Sequence, residues 1–303
     1  MQLNELRKDL RFNTELLSLV ETLKNVAGSQ YHLLEKQKQR FEAFMEAFAG
    51  FFRIVNLVDV RNPLVDVESP NTGLMLVTSD SGFMGGLNTA IIRAGFEAIA
   101  DVPQERRRLI VLGDKGAAAV RELYPEGTFL PGVNQDDIYG HAAMVKEQVI
   151  RAVMNREIGM LYVAYAAASS FTAQTVEVIP LLPCGALFDA QAESEIARHA
   201  GTSRFVSDAR KVIVESSYND IVVYLASQWV EAKLYEVFED SKLAEFSARA
   251  MHLEGSLQKV EKEHARVRQK CVKASHELVD KGMRESFAAK STKRKRQVRA
   301  DAA

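Results

Sequence analysis

Apolar residues near the start of the chain recur in alternating steps of four and three. The series runs Leu16, Val20, Leu23, Ala27, Gln30, Leu34, Gln37, Phe41, Phe44, Phe48, Phe51, Val55 and Val58. That spacing is a heptad seam interrupted by two glutamines, and no proline falls between residues 3 and 58. A helix over this range would be on the order of 80 Å long. A second seam lies near the other end: Phe246, Ala250, Leu253, Leu257, Val260, His264, Val267, Cys271, Ala274 and Leu278. No proline follows Pro183, so a helix from near Asp208 to Ala289 is predicted. Upstream of that seam, Ile221, Leu225, Trp229 and Ala232 form a further apolar stripe at helical spacing. A one-sided apolar stripe must be covered. The economical arrangement is for each terminal helix to cover the other, as an antiparallel pair leaving and re-entering a central domain.

Between the helices the pattern changes. Gly73 to Ser79, Arg108 to Gly113, Met160 to Ala166 and Thr175 to Leu182 are short apolar runs rich in β-branched and aromatic residues, bounded by turn formers. They alternate with helical patterns at 87–100, 115–123 and 139–156. Strand–helix–strand alternation predicts a largely parallel, Rossmann-like sheet with helices on its faces. Segments 125–138 and 184–204 read as loops or connector. The division expected is therefore a coiled-coil shaft from residues 1–58 and 208–290, an α/β domain at 73–183 and a connector at 184–207. A basic tail at 291–303 has no apolar face and is expected to be disordered.

Composition changes this picture little. The 303 residues are 47% apolar and 26% charged with a formal net charge of −1, so no global field points to nucleic acid or an anionic membrane. The exception is the run Lys290 to Arg299. The longest apolar run, Gly159 to Ala168, is far short of the roughly 20 residues that span a bilayer. The N-terminus has no apolar signal-peptide core. Cys184 and Cys271 make no CxxC pair and read as small buried hydrophobes in a reducing compartment. The histidines show no HxxxH or HExxH spacing, so no metal is expected, and no cofactor or catalytic residue is indicated.

The sharpest local feature is TSDSGFMGGLNTAII at 78–92, in which a strand ends, a glycine-rich turn follows and a helix begins. Gly82, Gly85 and Gly86 do not make GxGxxG, and no Lys-Ser/Thr follows. Gly82, Gly85, Gly86 and Asn88 are accordingly read as a structural turn. Gly113 to Gly116 is a weaker echo with Asp114 as a helix N-cap, and His264 is a polar register device on the seam.

The SGFMGGLN stretch resembles the RGLCGGLN segment of the γ subunit of F-type ATP synthases. NVAGS (Asn25 to Ser29) is similar to that family's MVAAS, Gly113 to Gly116 to its GxKG-like turn, Gln174 to Leu182 to its QxPTxxQLLPL strand, and KAS (Lys273 to Ser275) to its QAS. The resemblance implies a non-catalytic central-stalk rotor subunit. It would turn inside a ring of α and β subunits, sit on the c-ring and bind the ε subunit at the cytoplasmic face of a bacterial inner membrane, without nucleic acid. It also places a contact with a β-subunit catch loop at Val272, Lys273, Ser275 and Glu277. Val272 and Lys273 stand where the family often has Arg-Gln, Glu21 and Gln30 stand where lysines are common, and His276 to Val279 replace its ITQE. These departures suggest a divergent member of an alternate bacterial type. The competing readings are a coiled-coil scaffold and a nucleotide-binding α/β protein with helical arms.

Overall fold

The computed structural model describes residues 2–55, 62–64, 66–184 and 218–300. Two long helices, α1 (Gln2–Val55) and α5 (Tyr218–Ala300), flank a five-stranded sheet. Its strands are β1 (Thr72–Val77), β2 (Arg107–Leu112), β3 (Thr128–Leu130), β4 (Met160–Ser170) and β5 (Ala173–Leu182), with helices α2 (Leu87–Ala98), α3 (Asp114–Val120) and α4 (Ile138–Met154) between them. The chain groups into two compact units: residues 1–25 with 253–303, and residues 26–252.

In the first unit α1 and α5 run antiparallel. Thr14 Oγ1 lies 3.2 Å from His264 Nε2, and Lys24 Nζ lies 3.0 Å from Glu254 Oε2. Within each pair the residue numbers add to 278, which fixes the register. Val20, Leu253 and Leu257 form the buried core here, with Leu16 and Leu17 packed against them. His264 and Thr14 supply the polar contact expected of a seam histidine.

The α5 seam appears as read from Phe246 to Ala274. Leu278, also placed on it, is 58% exposed. The register gives the reason: Gln2, where α1 begins, stands opposite residue 276, and residues 276–290 are all exposed. On α1 the residues turned inward are Leu3, Leu6, Leu10, Asn13, Leu17, Val20, Lys24, Ala27, Tyr31, Leu34 and Lys38, buried or half-buried at unbroken steps of three and four. The expected seam shares Val20, Ala27 and Leu34 with this one; Leu16 and Gln30 are half-buried beside it, and Leu23 is the described position that departs. Leu23 is 37% exposed, and Lys24 takes its place. A lysine can lay its aliphatic stem on the seam while its ammonium pairs with an acid at the rim. The side chains of Gln37, Phe41, Phe44, Phe48, Phe51 and Val55, and Val58 altogether, lie outside the described residues. So do all residues of the expected connector 184–207 after Cys184, and the expected helix start at Asp208.

The basic run is the second correction. It is helical to Ala300 rather than disordered. Lys, Arg, Gln and Ala are strong helix formers, and nothing after Gly282 breaks the helix.

In the second unit the sheet order is β3-β2-β1-β4-β5. The β1–β2, β2–β3 and β1–β4 pairs are parallel, and β4–β5 is an antiparallel hairpin. Only β3, three residues inside the expected loop 125–138, escaped the sequence pattern. Successive residues alternate between two cores. Met75, Val77, Ile110, Leu112, Leu161 and Val163 face one shared with α4, Tyr31, Leu34 and α5, including Phe238. Leu74, Leu76, Leu109 and Val111 face another with Ile91 of α2 and Val120 of α3. Burial on both faces explains why these strands read as continuous apolar runs.

Gly113 is the glycine on which the sheet edge depends. Its φ is 97°, and an added Cβ would overlap the Thr78 carbonyl. Gly113→Ala is expected to cost about 3 kcal/mol by combining left-handed strain with a backbone clash. Gly82→Ala, facing open space, should stay within about 0.5 kcal/mol. Urea denaturation of the two variants checks the contrast.

Candidate interaction surfaces and the glycine turn

The segment after β1 is held by its own polar groups. Asn88 Nδ2 donates to Ser79 Oγ at 3.0 Å, its Oδ1 accepts from Ser79 N at 3.3 Å, and Ser79 Oγ donates to the Ser81 carbonyl at 2.8 Å. Gly85 has φ 60°, which favours glycine, and exposed Phe83 has φ 66°. Gly82 and Gly86 face open space, so the close backbone approach near this turn does not involve them. It occurs one strand over, where Gly113 and Gly116 pack against Thr78. There the Thr78 hydroxyl donates to the Leu112 carbonyl at 2.5 Å and accepts from Gly116 N at 3.1 Å.

Asp80 was not singled out in the sequence, yet it ties the sheet edge together. Its carboxylate accepts from Asp114 N at 3.0 Å and from Gly132 N at 2.9 Å. Asp114 itself is the first residue of α3 rather than its cap. The N-cap is Gly113, which has no side chain, and Asp80 supplies the acceptor from the neighbouring strand end. An acid therefore stands at the helix N-terminus where a phosphate would otherwise be attracted. The sequence signal available was an Asp three residues after the strand. Arg249 of α5 joins the turn through Nε to the Gly82 carbonyl at 3.4 Å, while its guanidinium pairs with Glu245 at 2.6 Å.

The four residues assigned to the catch region lie on α5 near the end of the paired stretch. Val272 is 48% exposed, Lys273 and Glu277 are exposed, and Ser275 is half-buried. Beyond them Leu278, Val279, Met283 and Phe287 are exposed along α5. Cys184 is fully buried, and burial pushes its thiol up to about 12; Cys271 is half-buried on the seam. Among the described residues no group of His, Cys, Asp and Glu has the arrangement of a metal site, and no helix is long and apolar enough to cross a membrane.

A family model described as ATP synthase matches residues 2–274. A protein from Desulfitobacterium hafniense named ATP synthase gamma chain is 25% identical over 259 residues, covering 81% of this chain and 82% of its own. The chain belongs to the ATP synthase gamma family. A gamma chain of Acetobacterium woodii, named as sodium ion specific, is 24% identical over 264 residues, covering 83% of this chain and 85% of that one. Among solved structures, the gamma-family fold is matched by a chain of the Euglena gracilis mitochondrial ATP synthase rotor. Its TM-score is 0.64 at 15% identity, with 92% of this chain and 99% of that chain covered. A second Euglena gracilis structure, of an assembly described as OSCP/F1/c-ring, matches with a TM-score of 0.65 at 16% identity and covers 96% and 94% of the two chains.

Proposed function

We propose that this gamma-family chain is the central-stalk rotor subunit of a rotary ATP synthase or ATPase. It couples rotation of an ion-driven c-ring to the conformational cycle of catalytic β subunits. The observation that carries the reading is the pair of terminal helices, antiparallel in one register and flanking a mixed α/β sheet, in a chain whose family match extends from residue 2 to residue 274. A rotor needs a stiff rod, and two helices with interlocking seams resist bending better than one. In this reading residues 1–58 and 208–290 form the shaft, 73–183 the foot that meets the c-ring and the ε subunit, and 184–207 a connector. The subunit carries no catalytic residue of its own. It is held peripherally at the cytoplasmic face of the bacterial inner membrane by its partners.

Within the ring, Val272, Lys273, Ser275 and Glu277 form the contact with the β-subunit catch loop. Val272 cannot make a charge-assisted hydrogen bond, so Lys273 carries the polar part of that contact. Lys273→Ala is expected to lower ATP turnover of the assembled complex while leaving the isolated chain's melting temperature unchanged, because the side chain is exposed. Steady-state ATPase assays and thermal melts check both halves. The test of the whole reading is co-expression with α- and β-type subunits. A complex containing all three with ATPase activity supports it, and a chain that never joins an α/β ring contradicts it.

A further inference from the structure

The two longest strands, β4 and β5, extend beyond the rest of the sheet. β1 pairs with β4 only as far as Ala164, whereas β4 stays paired with β5 to Ser170. Residues 165–170 thus have β5 as their single strand partner among the described residues. A two-stranded ribbon by itself is at best marginally stable in water, so its order depends on what it touches.

It touches both long helices within residues 26–252. At its tip, the Phe171 ring meets Tyr31 edge-on at 5.0 Å between centroids and stacks on His32 at 5.7 Å. Gly28, one turn earlier on α1, also lies under the ring: a Cβ there would meet Phe171 Cζ at 4.0 Å, an ordinary contact. The tip is also tied to itself, since Thr172 N donates to Ser170 Oγ at 3.3 Å. On the other strand, Gln174 Nε2 donates at 2.7 Å to Ser247 Oγ, and Ser247 is fully buried on α5. Farther down the ribbon, Tyr165 donates to Glu177 at 2.9 Å, while Lys38 of α1 and Asp240 of α5 are joined at 2.6 Å. Two aromatic contacts of Phe171 fix the ribbon to α1, and one part-buried hydrogen bond fixes it to α5.

We propose that the β4–β5 ribbon is a clasp that transmits torque between the sheet and the two shaft helices, with Phe171 and Gln174 as its positioning residues. The proposal rests on the rotor reading. The clasp adds to the Arg249–Gly82 and Lys146–Glu231 links to α5 a directional contact that reaches α1 as well. An aromatic ring packed against Tyr31 and His32 resists sideways slip of α1, and a part-buried side-chain hydrogen bond resists rotation of α5. Ion-driven turning of the foot would then reach both helices together.

The test uses the assembled complex, held by its α/β ring, with a bead attached to the sheet portion of this chain. Angular fluctuation of the bead reports torsional stiffness. For Phe171→Ala the clasp requires stiffness to fall about twofold or more, given the loss of the ring contacts. ATP-driven ion transport should fall while unloaded ATP turnover stays at the parent level, and Phe171→Tyr should restore stiffness. Gln174→Ala removes one hydrogen bond without opening a core cavity, and it carries the test if Phe171→Ala does not assemble. Unchanged stiffness in an assembled variant overturns the clasp. A parent complex that assembles but does not rotate contradicts the rotor reading instead.

Discussion

Leu257→Asp is expected to open the paired stretch of α1 and α5 while leaving the sheet intact. Leu257 is 8% exposed and packs in a hydrophobic cluster with Val20 and Leu253. Removing a buried leucine costs about 2–5 kcal/mol, and an unpaired carboxylate in the same place adds its desolvation. Amides of residues 2–25 and 253–275 should lose hydrogen-exchange protection, whereas those of β1, β2 and β4 should keep theirs, because the two groups belong to different compact units. Coupled ATP turnover of the complex should fall with the opening. Leu278→Asp is the control. It has the same heptad phase but is 58% exposed, so protection should not change. Equal losses in the two variants would mean that the register is wrong.

The second large effect is expected at a nearly inaccessible ion pair that joins α4 to α5. Lys146 Nζ on α4 meets Glu231 Oε2 on α5 at 2.6 Å. Burial alone would push the Glu231 carboxyl up, but hydrogen bonds from Lys146 and Tyr139 outweigh it and hold the carboxyl below its ordinary value. Burial likewise works against the Lys146 ammonium, and the bonds and charges of Glu231 and Glu147 reverse that, raising it. Lys146→Met leaves a buried carboxylate without its cation and should destabilise the chain by about 3–5 kcal/mol near neutral pH.

The pH dependence has a definite sign. A depressed carboxyl contributes stability above its unfolded value and loses it as pH falls through the folded one. A raised lysine contributes below its unfolded value and loses the contribution as pH rises through the folded one. The pair therefore contributes across the neutral range and fades at both extremes. In Lys146→Met the orphaned carboxyl takes up its proton more readily, so the gap between parent and variant should narrow in acid. Lys146→Met with Glu231→Gln should recover most of the loss. Urea denaturation at several pH values checks all three expectations.

Most of the fold was legible because burial leaves a period in the sequence. Val20, Ala27 and Leu34 stand at every seventh position of α1, and strands buried on both faces must be apolar throughout. The alternate seam positions were not legible. Lys24 and Tyr31 are amphipathic, and their inward stems and outward polar groups look the same as solvated residues until α5 supplies Glu254 and the β4–β5 tip supplies Phe171. Leu278 shows the converse. Heptad phase says which face a residue occupies, but only the length of the other helix says whether anything covers it. The turn after β1 was recognised by its glycines, yet its geometry is set by Thr78, Asp80 and Asn88. Their partners lie as much as 52 residues away at Gly132, a distance that no local pattern encodes. The basic run showed charge but not conformation, because the same lysines and arginines suit a solvated coil and the end of a helix.

The most direct test of the central claim is single-molecule rotation. The chain is assembled with α- and β-type subunits, the ring is fixed to a surface, and a bead on the sheet portion is followed in ATP. Unidirectional turning with three principal dwells per revolution is the result expected of a shaft addressing three catalytic β subunits in sequence. A bead that remains fixed or only diffuses, in a complex that hydrolyses ATP at the full rate, would contradict it.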